Sequence, residues 1–334
     1  MPTEDQVKAA LGEVLLPQVV RSLTDLNMVR SVEIKGGKVK VTLASTGLNP
    51  GVKDWVQTRA SSAVESLPKV AEVSIEFVDA PPQELNQVRH IVAVMSGKGG
   101  VGKSLVTSLL AIALNRQGGR AGILDADITG PSIPRMFGIN SHPGGSDAAI
   151  LPVPSKSGIM VMSINLLLPH DDDAVIWRGP LIGKVIQQFW QDVLWGNLDC
   201  LFVDLPPGTA DAPLTVMQVL PLSGVVIALT PQDLTAMVVR KAVKMAQMMK
   251  IPVLGVVENM SYLVLPETGK RLEIFGKSKG AEMAKTAGAP LLGQLPLDPE
   301  LARLCDEGLI ERYNSEAFDS LARTFTERLA ALGK

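Results

Sequence analysis

The chain has 334 residues, of which 46% are hydrophobic, 20% charged and 4% aromatic, and its formal net charge is -2. That length allows one large domain beside a small one, and the apolar share is sufficient for a buried core. The near-neutral charge argues against general attraction to nucleic acid or anionic membranes. With charges in residues 1–10 and no apolar run of membrane-spanning length, a cytoplasmic protein is expected.

Residues 1–79 read as a small α+β domain. Apolar periodicity over 7–20 predicts a helix, interrupted near Pro17. Val32 and Ile34 alternate with polar neighbours, and Gly36-Gly37 supplies a two-residue hairpin turn. Val39, Val41 and Leu43 then alternate with Lys38, Lys40 and Thr42, the pattern of a half-buried strand. A helix over 52–67 and a strand through Val73, Ile75 and Phe77 complete the unit. Residues 80–89, with Pro81-Pro82, read as a linker to a second domain, 90–334.

From His90 the pattern changes. Apolar runs without alternation occur at 91–95, 122–124, 201–203, 225–229 and 253–257. Such runs belong to strands buried on both faces. Helical stretches at 103–117, 180–194, 212–220, 234–249 and 281–287 separate them, which predicts a parallel sheet wrapped by helices. Residues 140–158 read as a long loop or a short hairpin.

The first of these strands runs into Gly97-Lys98-Gly99-Gly100-Val101-Gly102-Lys103-Ser104, followed by Leu105 and a helix. This is a G-x-x-x-x-G-K-S phosphate loop in its strand–loop–helix setting. Its glycines let backbone N–H groups turn toward phosphate oxygens, and the helix adds the positive end of its dipole. Lys103 is expected to reach the β- and γ-phosphates of ATP, and Ser104 to ligate Mg²⁺. The expected fold class is therefore an α/β, parallel-sheet P-loop NTPase with a small N-terminal α+β domain. Asp125 and Asp127, in D-A-D-I-T-G-P-S, follow a strand end, where one of them would hold Mg²⁺ or position water; a helix cap or turn is the bland alternative. Asp204, closing the strand before L-P-P-G-T-A-D, fits a carboxylate of the Mg²⁺ shell, and Gly208 gives its loop freedom to contact a γ-phosphate.

Lys98 is a second lysine in the phosphate loop, and with it the chain resembles the deviant Walker A family, which includes the ParA, MinD and nitrogenase iron-protein groups. The resemblance implies a homodimer in which Lys98 reaches the partner's nucleotide, with Asp127 as the catalytic carboxylate supported by Asp125. It also implies that Asn259 bonds the adenine, and that the loop of Leu295-Pro296-Leu297-Asp298 closes over the purine, with Pro296 beside the base. Further stretches narrow the match: W-R-G-P at 177–180, D-L-P-P-G-T-A-D-A-P-L-T at 204–215, T-P-Q-D at 230–233, V-E-N-M-S-Y at 257–262 and L-D-P-E-L at 297–301. Together they resemble the Mrp/ApbC branch. Membership implies slow ATP hydrolysis, iron–sulfur cluster assembly or transfer, and iron–sulfur client or assembly proteins as partners, with no nucleic acid or membrane. Residues 1–79 resemble, more loosely, a small iron–sulfur-assembly domain.

One departure matters. Most of that branch carries C-x-x-C after E-N-M-S, whose thiolates hold a cluster across the dimer. Here the only cysteines are Cys200 and Cys305, and Leu265 and Thr268 stand at the expected places. Ser45 to Gly51 also lacks the cysteine usual in the small domain. Cys200 reads as core, leaving Cys305 as a weak candidate cluster ligand. His90, His142 and His170 read as surface loop residues, Asp171-Asp172-Asp173 as a solvated turn, and Met237, Met245, Met248 and Met249 as the core face of a helix. Two alternatives follow: a cluster-free ATP-gated adaptor, or a MinD-like positioning ATPase using the apolar face of 318–334 on a membrane.

Overall fold

The computed structural model describes residues 1–128, 130–168, 179–209, 211–232 and 235–333. Thr129, His170, the triple aspartate at 171–173, Trp177 and Arg178 of W-R-G-P, Asp233 and Leu234 lie outside them. The chain divides into two compact units. The first comprises 1–89, 142–154 and 188–198, and the second 90–141, 155–187 and 199–334.

In the first unit, α1 (Glu4–Gly12) is capped by Thr3, whose hydroxyl accepts from Gln6 N while the Gln6 side chain accepts from Thr3 N. The helix expected over 7–20 stops at Gly12. Leu15–Leu16 and Arg21–Ser22 instead pair antiparallel, with Val20 turned to a φ of 51° between them. Pro17 lacks the N–H that a continuing helix needs, so apolar spacing alone misread this stretch. Strands β1 (Val29–Lys35) and β2 (Lys38–Ala44) form the hairpin expected at Gly36-Gly37, with Lys35 opposite Lys38. After α2 (Pro50–Glu65), β3 (Glu72–Val78) pairs parallel with β2. Val39, Val41 and Leu43 are buried with Val56, Ala60 and Val64 of α2. The 80–89 segment contains a turn of helix, Pro82–Leu85, with both end residues buried. Residues Gly144–Ser146 and Ala149–Leu151 form the short hairpin, one of the two alternatives for 140–158.

From residue 87 onward the elements largely alternate strand and helix, most of them in the second unit: β4 (Gln87–Ser96), α3 (Lys103–Arg116), β5 (Ala121–Asp125), α4 (Ile133–Phe137), β6 (Met160–Ser163), α5 (Gly179–Asp192), β7 (Asn197–Asp204), α6 (Asp211–Val219), β8 (Gly224–Leu229), α7 (Thr235–Met248), β9 (Val253–Glu258), α8 (Gly280–Ala287), β10 (Leu291–Gln294), α9 (Pro299–Asp306) and α10 (Glu316–Ala330). The strands lie in the order β6-β5-β7-β4-β8-β9-β10. The pairs β6–β5, β5–β7, β4–β8, β8–β9 and β9–β10 are parallel. Strands β5, β8 and most of β4, β7 and β9 are buried throughout, as unalternated apolar runs require. His90 lies inside β4, not in a loop, while His142 is an exposed loop residue.

Two helix faces matter later. Phe318, Leu321, Phe325 and Leu329 of α10 are all buried, so the apolar stripe of the tail is spent on packing. On α7, Val239, Ala242, Val243 and Ala246 face inward with Met245, but Met237 is 52% and Met248 80% exposed. The four methionines therefore do not form one core face; Met237 and Met248 lie on the side opposite the β-branched and alanine stripe. No helix among the described residues is long and apolar enough to cross a membrane.

Candidate functional site

Parallel pairing brings the carboxyl ends of the strands into one row. Ser163 of β6 is in register with Asp125 of β5, and Asp125 with Asp204 of β7. The phosphate loop leaves β4, the next strand over, so a loop and two carboxylates separated by about a hundred residues converge without any long-range design beyond sheet order.

The loop is shaped by Gly100 and Gly102, at φ of 80° and 79°. Gly102 caps α3 in the left-handed region, and a Cβ there would lie 2.2 Å from Asn259 Nδ2. Asn259 is 1% exposed and its amide donates to the Val101 carbonyl at 3.0 Å. The resemblance implies that Asn259 bonds the adenine; here its amide N–H holds the phosphate loop against the end of β9. Gly102→Ala is expected to abolish ADP binding in calorimetry, because the strained φ and the collision with Asn259 both act on the loop.

A buried ionic network sits beneath the loop. Lys103 Nζ is 2.7 Å from Asp204 Oδ2 and 3.5 Å from Asp127 Oδ2, and the lysine is 5% exposed. Ser104 Oγ donates to Asp204 Oδ2 at 2.5 Å, and Thr107 Oγ1 to Asp204 Oδ1 at 2.8 Å. Asp125 is fully buried and accepts from Asp127 N at 3.2 Å and Ser163 Oγ at 3.3 Å. Burial, with Asp204 and Asp127 adding repulsion against the pull of Lys103, pushes the Asp125 carboxyl up to about 8. Above this layer a cleft of about 340 Å³ is lined by Lys98, Gly99, Gly100, Gly102, Lys103, Ser104, Leu105 and Asp127. Gly97 lies in the same loop; Val101 is buried beneath it. Gly208, at φ 96°, donates its N–H to Ser96 O at 3.1 Å, tying the loop after Asp204 to β4. Pro296 does not line this cleft. It borders a separate cavity with Tyr262, Arg271 and Asp298.

Lys98 Nζ donates to Gln232 Oε1 in the loop after β8. Sequence reading quoted T-P-Q-D but gave Gln232 no role. It also missed Thr107, although a hydroxyl one turn after Lys103 is a legible signal. It missed Glu258 too, the carboxylate at the end of β9. Glu258 is fully buried and accepts from Ser261 Oγ at 2.5 Å, Ser278 Oγ at 2.6 Å, Lys279 N at 2.7 Å and Gln294 Nε2 at 2.8 Å. Burial alone would raise its pKa, but these hydrogen bonds outweigh it and hold the carboxyl below its ordinary value. Glu258→Ala removes the shared acceptor of these four donors, of which Gln294 Nε2 keeps only its bonds to the Ser261 and Ser278 hydroxyls, and is expected to cost about 3 kcal/mol in denaturant melts. Because the pKa is lowered, this stabilisation is present above 4.5 and fades as pH falls through the folded value, so wild type and variant should converge in acid.

The chemistry of the donors fits Mg²⁺ and a triphosphate. A hydroxyl and a carboxylate oxygen, Ser104 and Asp204, stand together, as a cation that keeps phosphate and water ligands requires. The fit to an iron–sulfur cluster is poor. Among the described residues no three His, Cys, Asp or Glu side chains are grouped to hold a metal. Leu265 and Thr268 lie in the turn joining Leu263–Val264 to Arg271–Leu272, where Gly269 N bonds Leu265 O at 2.8 Å. Cys200 is buried, with its thiol raised far above the ordinary range by desolvation. Cys305 is half-buried on α9, pushed up to about 11 by burial and by Asp306.

Comparison with known proteins places this geometry. The model of NUBPL iron-transfer P-loop NTPases, a ParA-type family, matches residues 87–330. The chain belongs to that family. A second model, of an iron–sulfur cluster assembly protein, matches residues 4–75. An iron–sulfur cluster carrier protein of Aquifex aeolicus is 37% identical over 98% of both chains. One from Methanocaldococcus jannaschii is 44% identical over 74% of this chain and 87% of its own. Among solved structures, a nucleotide-binding protein from Archaeoglobus fulgidus in complex with ADP is 45% identical, with a TM-score of 0.64, over 72% of this chain and 95% of that one. The MinD cell division ATPase of Pyrococcus furiosus, at 22% identity and a TM-score of 0.54 over 72% and 99% of the two chains, shares the fold alone. The two family matches thus cover separate stretches of the chain, 4–75 and 87–330.

Proposed function

We propose that this iron-transfer NTPase binds and slowly hydrolyses Mg·ATP as a cytoplasmic homodimer, and acts in iron–sulfur cluster assembly or transfer without holding the cluster through a C-x-x-C of its own. The observation that carries the nucleotide reading is the convergence of Lys103, Ser104 and Asp204 under a glycine-shaped loop. In this reading Lys103 exchanges its contacts with Asp204 and Asp127 for the β- and γ-phosphates. Ser104 and Asp204 hold Mg²⁺, which offsets charge on the phosphates. Asp127, at the cleft wall, positions the attacking water, and Asp125 buttresses it from below. Lys98 leaves Gln232 and reaches the nucleotide of the second protomer. The base would extend from the cleft toward the cavity lined by Pro296, and Asn259 would reach it by releasing the Val101 carbonyl. Residues 1–79 act as the assembly-type domain, joined through 80–89.

The adaptor reading, in which clients bring their own cluster, is favoured by the absence of thiolates at Leu265 and Thr268. The MinD-like membrane reading loses support, because the apolar face of α10 is packed. Two measurements divide the remaining readings. Light scattering with and without Mg·ATP tests the switch; a chain that neither binds nucleotide nor associates overturns it. Anaerobic reconstitution with iron and sulfide tests carriage. Nucleotide turnover without stoichiometric iron supports the adaptor, and charge-transfer absorbance with bound iron supports a cluster held on the chain.

A further inference from the structure

The outward face of α7 combines exposed methionines with lysines. Met237, Lys241, Lys244 and Met248 recur at spacings of four, three and four residues, so they share one side of the helix. All four are exposed. The helix also carries Arg240 and no acidic residue, and among the described residues none of its three cations belongs to an ion pair. Beside this face lies a groove of about 350 Å³, lined by Thr209, Leu214, Lys241, Lys244, Met245 and Met248, again without an acid. Exposing two methionines forgoes the burial of their apolar side chains. Unbranched thioethers between ammonium groups make a surface that adapts to apolar side chains while attracting negative charge.

We propose that this face docks an acidic amphipathic helix from a partner protein. Apolar side chains of that helix seat in the groove against Met245 and Met248, and its flanking carboxylates pair with Lys241 and Lys244. The charge complementarity selects the occupant. Three unpaired cations on a chain of net charge -2 favour an acidic ligand, and the interleaved methionines favour an amphipathic protein segment over a phosphate backbone. The groove also touches the loop after Asp204. Thr209 follows Gly208, in the loop that leaves Asp204, so docking and the state of the phosphate site act on one stretch of backbone. This last coupling rests on the proposed ATPase reading; the docking surface does not.

The test uses the full chain and a labelled acidic peptide of about 18 residues, five helical turns, with leucines at i, i+3, i+4 and i+7 and glutamates flanking them. Fluorescence anisotropy on nucleotide-free protein is expected to show saturable binding that Lys241→Glu with Lys244→Glu weakens at least about tenfold. Met248→Ser is expected to weaken it several-fold. Both variants should keep wild-type ADP affinity and circular dichroism, since the residues lie outside the nucleotide cleft. Equal binding of a scrambled peptide, or unchanged affinity in the charge reversal, overturns the proposal. So does a charge-reversal loss that appears only with phosphatidylserine vesicles, duplex DNA or self-association. If the chain binds the peptide but not Mg·ATP, the ATPase reading fails and the docking surface stands.

Discussion

Lys103→Met is expected to be the most damaging single change in the chain, on two counts. The ammonium group lies 2.7 Å from Asp204 and 3.5 Å from Asp127, with the Asp125 side chain fully buried. Removing it leaves carboxylates in low dielectric with no compensating cation. Breaking a buried pair from one side typically costs about 3–5 kcal/mol. For a domain of this size that is a fall in melting temperature on the order of 10 °C. The effect should depend on pH with a defined sign. A carboxyl whose folded pKa is raised, as that of Asp125 is from 3.8 to about 8, stabilises least where it must ionise. Its contribution is fully present below 3.8 and is lost as pH rises toward 8. Without Lys103 the Asp125 carboxyl loses the pull that lowers it and rises further, so the variant should lose more stability than wild type between pH 5 and 8. Parallel pH curves would show that the lysine does not compensate the cluster. On the second count, turnover should fall by about a thousandfold, since the ammonium proposed to stabilise charge on the β- and γ-phosphates is lost. Thermal melts across pH and phosphate-release assays check the two effects separately.

Lys98→Ala is expected to lower hydrolysis by a factor of about 10²–10⁴, in the range of other cations supplied in trans, while leaving ADP affinity within a few-fold of wild type. The side chain lies at the rim of the cleft and is held by Gln232, not by the buried carboxylates. Its removal therefore leaves the network of Lys103, Ser104 and Asp204 intact. Mixing Lys98→Ala with a Lys103→Met chain should restore partial activity if the second lysine serves the opposite protomer, because one composite site then carries both amines. Unchanged turnover in Lys98→Ala alone would remove the trans role.

The core of the large unit was legible because five of its strands are buried on both faces and so lack alternation. Strands β6 and β10 were not. Each has four residues, too few to separate a strand from a loop, and β10 contains Gly293 at its centre. In the first unit, the spacing of Val7, Leu11 and Val14 continued past the point where Gly12 and Pro17 end the helix. The methionines of α7 were read as one stripe because hydropathy assigns thioethers to the core, whereas the helix had already filled that side with valine and alanine. At the site, the phosphate loop and Asp204 were readable as motifs, since each is local in sequence and ends a strand. The partners that set their geometry were not. Thr107, Ser163 and Asn259 act through tertiary proximity, and Glu258 gathers donors from three separate segments.

The two thiols carry a consequence for how the protein meets oxidants. Burial keeps both Cys200 and Cys305 protonated at neutral pH, so neither offers the thiolate that peroxides and alkylating reagents attack. The accessible sulfur lies instead in thioethers, that of Met1 and those of Met237 and Met248, the last two displayed in solvent on one helix. Oxidative damage to this chain would thus be written as sulfoxides on a surface, which reductases can erase, and not as disulfides or lost cysteines in its interior.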